Sequence, residues 1–112
     1  MATGALAKAE HIIHVWLHQE PFLRSLRSEG YRPVHEIHYG DTSDAIKSLD
    51  VLVWSKGDGQ MIHASFCVAP GYVFNKMGQS WEQPWFILRL KAVLDYENVL
   101  STGGKLIVYR KL

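Results

Sequence analysis

The chain has 112 residues, 47% hydrophobic and 21% charged, with 12 basic against 11 acidic side chains and a formal net charge of +1. That length suits one domain, residues 1–112, and leaves no room for a second core. The composition excludes a disordered, collagenous or disulfide-dense chain, and the interspersed, nearly neutral charge provides no field to recruit nucleic acid or anionic lipid.

Taken in chain order, the amino terminus has no basic region followed by an apolar core, and no apolar run approaches the ~18 residues of a membrane helix. A soluble, cytoplasmic protein is expected, with export by a route that uses no cleaved signal left open. Residues 4–18 read as a helix with Leu6, Ile13, Trp16 and Leu17 on one side and His11, His14 and His18 on a narrow stripe nearly opposite. Pro21 suits the first turn of a second helix over 20–28, and Gly30 stops it. Residues 33–39 alternate as a strand, Gly40 turns the chain, and Asp41 with Asp44 predicts a capped short helix over 41–49. Strands follow over 50–55 and 61–69, joined by a Gly-Asp-Gly loop, and Pro70-Gly71 closes a hairpin onto 72–76. After a polar, Trp-bearing loop, residues 87–94 mix a short strand with a helix, and Gly103-Gly104 lead into a last strand over 105–110. Helices first and an antiparallel sheet after them define an α+β domain, with the helices on one face of four to six strands.

Chemistry centres on His63, which interrupts an apolar strand just after a loop and stands on the same face as Ser65 and Cys67. Cys67, the single cysteine, excludes a disulfide and a four-cysteine zinc site. It is also no partner for His63, because residues four apart in a strand are separated by roughly 13 Å. The histidine stripe of the first helix is read as a solvated polar face, since no carboxylate-rich surround or cysteine pair accompanies it, and no metal or cofactor is expected. Trp81 and Trp85, around Pro84, are read as caps on a small core before a ligand platform.

Residues 50–54 (Asp-Val-Leu-Val-Trp), a short polar loop, Ile62-His63-Ala64-Ser65-Phe66, a turn, and Tyr72-Val73-Phe74-Asn75 resemble the core of the NlpC-type cysteine endopeptidases of the papain-like amidase superfamily. The stretch 81–96 and the closing Val108-Tyr109-Arg110 are similar to that family as well, so the resemblance covers about two thirds of the chain. It implies an acyl-enzyme hydrolysis of an amide in a peptide or peptidoglycan-like substrate, with His63 as general base and Asn75 as the group that orients it. Two positions depart from the pattern. Leu49 stands where the family has glycine, and Ala5 stands where a nucleophilic cysteine would open the first helix, the place at which helix N–H groups lower a thiol pKa. Either Ala5 replaces the cysteine of a thiol hydrolase, or the chain is a natural non-catalytic module that binds a protein partner or peptide. An intracellular substrate, wall remodelling or a delivered toxin all accord with such a fold.

For the hairpin, a strict two-residue turn at Pro70-Gly71 pairs Phe66 with Asn75 and turns Asn75 away from His63. A three-residue loop or a bulge pairs Ser65 with Asn75 instead, and one of these two forms is expected.

Overall fold

A computed structural model of the protein describes residues 19–76 and 85–112. Helix α1 (Gln19–Ser28) is followed by strands β1 (Tyr31–Ile37), β2 (Val51–Ser55), β3 (Met61–Ala69), β4 (Tyr72–Lys76) and β5 (Trp85–Arg89), helix α2 (Leu90–Val93), a 3-10 turn (Tyr96–Asn98) and strand β6 (Lys105–Lys111). The six strands form one sheet in the order β1-β6-β2-β3-β4-β5, and all neighbours are antiparallel. The α+β reading holds at this level: among the described residues there is an antiparallel sheet of six strands with two short helices.

Every position of β2 is buried, which a strand reaches only when both faces of its sheet are covered. On one face Val51 and Val53 pack with Ala64 and Phe66 of β3 against Phe22 and Leu26 of α1. Those two helical residues are four apart, hence on one stripe. On the other face Leu52 and Trp54 join Cys67, Val73, Leu106 and Val108 beneath Ile46, Leu90, Val93, Val99 and Leu100. The expectation of helices on a single face is therefore corrected. A strand as apolar as Val-Leu-Val-Trp leaves a second hydrophobic face to bury, and α2 with the segments around it covers that face.

The helix expected over 41–49 is absent, because local side-chain bonds outcompete it. The Asp41 carboxylate accepts the His38 N–H at 2.9 Å, turning backwards and not into a helix. Thr42 Oγ1 accepts the Asp44 N–H at 3.1 Å, and the Asp50 carboxylate accepts the Lys47 N–H at 2.8 Å. The strand expected over 33–39 runs two residues earlier, since Tyr31 already pairs with Lys111. Pro33 is accommodated there because β1 is an edge strand, and the register shifts between Pro33 and His35.

The hairpin has the bulged form. Ala69 pairs with Tyr72 around Pro70-Gly71, and a register shift beyond it pairs Cys67 with Val73 and Phe66 with Phe74. Continuing that register sets position 75 opposite Ser65. Gly71, at φ +84°, supplies the left-handed conformation that the turn requires.

Candidate active site

His63 lies near the start of β3, directly opposite Trp54 of β2. Strand alternation sends it, with Ser65 and Cys67, to the face away from α1. A second bulge, between the pairs Trp54–His63 and Ser55–Met61, creates this phase, because it lets both Met61 and Ala64 face α1.

Around the imidazole the contacts are specific. Ser65 Oγ stands 3.3 Å from His63 Nε2. The ring lies face to face with Tyr96, at 4.0 Å between centroids and 5° between planes, and Trp54 leans against it at 5.2 Å and 48°. His63 is 2% exposed and Ser65 fully buried, so this is an interior polar pair in an aromatic enclosure. Trp54 in turn donates its indole N–H to the Leu94 carbonyl at 2.9 Å, fastening the segment that delivers Tyr96.

The turn that carries Tyr96 is held by its own polar groups. The Asp95 carboxylate accepts the Ser101 N–H at 3.0 Å, and hydrogen bonding from Ser101 holds this carboxyl below its ordinary pKa. Glu97 and Asn98 both adopt left-handed backbone, at φ 48° and 59°, conformations uncommon for residues other than glycine. Burial, assisted by the Glu97 charge, raises the Tyr96 phenol above its usual value.

Cys67 is not a nucleophile. It is completely buried, its thiol donates to the Ala69 carbonyl at 3.2 Å, and burial together with the Asp50 charge pushes its pKa from 9.0 up to about 11. A reactive cysteine requires the opposite, an electropositive and accessible setting.

Of the other residues singled out in the sequence, Ala5, His11, His14, His18 and Trp81 lie outside the described residues. Asn75 pairs through its backbone with Phe86 of β5, and the register sets it across from Ser65. Trp85 pairs with Lys76 at the far end of the same ladder. No group of three His, Cys, Asp or Glu side chains suited to a metal ion occurs among the described residues. None of the described helices is long and apolar enough to cross a membrane.

Sequence reasoning missed two site residues. Ser65 was in view as a same-face neighbour of His63 but received no role. Tyr96 carried no signal, because 33 positions of chain separate it from the ring it covers.

Asp50 belongs to the scaffold. It is 1% exposed and accepts two bonds from Arg110, from Nε at 2.9 Å and Nη2 at 2.8 Å. Arg110 Nη2 also donates to the Ala45 carbonyl at 2.8 Å, so one guanidinium joins β6, the start of β2 and the 41–50 segment. An open groove of about 760 Å³ lies at the Pro70-Gly71 end of the hairpin, lined by Asp41, Asp44, Tyr72, Arg89 and Lys91 among others. Seven residues of extended chain, roughly 23 Å, separate that end from His63, so the groove is not built around the imidazole.

Compared with protein-family models, with curated proteins and with solved structures, the chain matches none.

Proposed function

We propose that the chain is built on the plan of a papain-like thiol amidase of the NlpC type, directed at a peptide or peptidoglycan-like amide. On this reading His63 is the base, and Ala5 occupies the place of the nucleophilic thiol. The observation that supports it is the oriented, interior imidazole: a ring bonded at Nε2 to Ser65 and stacked on Tyr96, on an otherwise apolar strand. Burying an imidazole costs free energy unless its polar atoms are bonded; the contact with Ser65 offsets that cost and fixes the ring's orientation, which a general base needs. With a thiol at position 5, its proton passes to the imidazole while sulfur attacks the amide carbon. The amine then leaves with that proton, and water hydrolyses the acyl-enzyme. As the chain stands, Cys67 supplies no such thiol, so substrate is bound and not cleaved.

A second reading, a natural non-catalytic interaction module, is favoured by the 2% exposure of His63 beneath Tyr96. Ala5→Cys separates the two. The variant is assayed for amide hydrolysis of short peptides and peptidoglycan fragments, beside Ala5→Cys/His63→Ala. Hydrolysis that appears with the cysteine and vanishes without the histidine is the expected result. Peptide binding with no turnover in Ala5→Cys would transfer the assignment to the interaction module.

A further inference from the structure

We propose that the groove at the Pro70-Gly71 end of the hairpin binds a short peptide carrying both an ammonium and a carboxylate group, held between Asp41 and Asp44 on one side and Arg89 and Lys91 on the other. The site lies apart from His63 and takes nothing from the amidase reading. Its volume of about 760 Å³ falls within the roughly 300–1,000 Å³ of small-ligand sites. Two carboxylates and two cationic side chains cancel, so the groove as a whole favours neither a cation nor an anion. A ligand answers both sides only by carrying both signs.

Each charged side is anchored by a buried neighbour. Ile46, two residues after Asp44, and Leu90, between Arg89 and Lys91, both sit in the second hydrophobic core and also contribute apolar lining to the groove. The Leu90 N–H donates to the Gly71 carbonyl at 2.8 Å, which fixes the basic side to the hairpin turn. Held in this way, the opposite charges do not close on each other. Among the described residues the ion pairs join His38 and Lys105 to Glu36 and Arg110 to Asp50, and none crosses the groove. One Asp41 oxygen accepts the His38 N–H, while the exposed Asp44, Arg89 and Lys91 side chains keep their bonding capacity for a ligand. Arg89 stands directly opposite Tyr72 in the β4–β5 ladder, so guanidinium and ring share one face of the sheet. The first is a planar fork suited to a carboxylate, and the second, 44% exposed, is a flat apolar surface for the peptide between its two charges.

The experiment is a proton–nitrogen correlation titration of the full chain with three probes: trialanine, acetyl-trialanine amide and acetyl-Lys-Ala-Glu amide. The first carries its two charges at the chain ends, the second carries none, and the third carries them on side chains. Saturable shifts of the Asp44, Gly71, Arg89 and Lys91 amide signals are expected with a charged peptide, and the tighter of the two identifies where the ligand bears its charges. Binding should weaken about 5-fold or more for the uncharged peptide and, with the charged one, in Asp44→Asn and in Arg89→Gln, and should weaken with added salt. Both substitutions fall on exposed side chains outside any core, so the variants should keep the wild-type spectrum elsewhere. Groove signals that stay fixed with both charged peptides, equal binding of the uncharged one, or equal binding by the two variants would overturn the proposal. Amide hydrolysis in Ala5→Cys is read independently, so failure of the groove and failure of the amidase reading are told apart.

Discussion

Leu49 shows how much a single backbone angle says about a sequence. Its φ is +75°, in the left-handed region, and its side chain is 47% exposed, so it holds this conformation with little burial in return. The conformation is required because the Leu49 N–H donates to the Cys67 carbonyl at 2.7 Å and the Asp50 carbonyl accepts the Cys67 N–H at 2.8 Å, closing the entry to β2. A branched side chain at such an angle costs roughly 1–2 kcal/mol, and glycine returns part of that gain through its extra freedom in the unfolded chain. Leu49→Gly is therefore expected to stabilise the protein by about 0.5–1 kcal/mol, read as a higher urea midpoint at unchanged slope. A lower midpoint would mean that the leucine side chain contributes packing outweighing the strain.

At the same scale, Cys67 makes stability depend on pH in a defined direction. Its thiol is protonated in both states below about pH 9, but between 9 and about 11 the unfolded chain ionises while the folded thiol resists. The folded pKa is the raised one, so this contribution is complete below pH 9 and is lost as pH rises through that window. Replacing Cys67 by alanine should flatten the fall in denaturation midpoint between pH 9 and 11 relative to the wild type. An equally steep fall in the variant would assign it to other groups.

Among the elements, the segment from Tyr96 to β6 depends on one close approach. A Cβ on Gly104 would stand 2.5 Å from the Ser55 carbonyl oxygen and from Val99 Cγ1, and 2.7 Å from the Val99 carbonyl oxygen. Gly104 also donates its N–H to Val99 O at 2.8 Å. This contact lets the turn bearing Tyr96 fold down onto the end of β2, beside which His63 is paired. Gly104→Ala should cost about 1–3 kcal/mol by overpacking and should shift the His63 and Tyr96 ring resonances together. Destabilisation with both resonances unmoved would separate the glycine from the site. The Asp50–Arg110 pair works on other elements, tying β2, β6 and the 41–50 segment. Arg110→Ala leaves a carboxylate buried without its cation, and an expected loss of about 3–5 kcal/mol in chemical denaturation follows.

At the scale of the molecule, the consequence of the fold is that two hydrophobic cores among the described residues share one sheet. Val51 and Val53 face α1 while Leu52 and Trp54 face the opposite layer, so neither core can be lost without exposing the strand that builds the other. Among the described elements, unfolding is expected to be one cooperative transition. Labelling of the Cys67 thiol, which reports on the second core, and the far-ultraviolet dichroism of the sheet should give the same urea midpoint. Thiol exposure at clearly lower urea would mean that the layer carrying Leu90, Val93 and Tyr96 opens by itself, and His63 would then be reachable from that side.

Local pattern was sufficient for much of this architecture. The strands over 61–69 and 72–76, the helix ending at Ser28 and the last strand opening at Lys105 are encoded by alternation, by a four-residue apolar spacing and by Pro or Gly at the boundaries. The shifted hairpin register agrees with the expected bulged or three-residue form, and Gly71 supplies its left-handed turn. What the sequence left open depends on partners distant along the chain. The 41–49 segment has helix-start residues, but Asp41 and Asp50 are drawn into turn bonds and into Arg110, whose own position is decided by β6 lying beside β2. The environment of His63 was illegible for the same reason. Its place on β3 and its alignment with Ser65 follow from the residues alone, while the ring of Tyr96 meets it through a remote turn held by the Trp54–Leu94 bond and by the close approach of Gly104 to Ser55 and Val99. By itself the sequence determined which residues alternate, turn and face one another along each strand, because those preferences are local to the backbone. Only the tertiary structure decided which layer covers each face and which polar atom meets the imidazole, because both are settled by packing between segments that share no sequence neighbourhood.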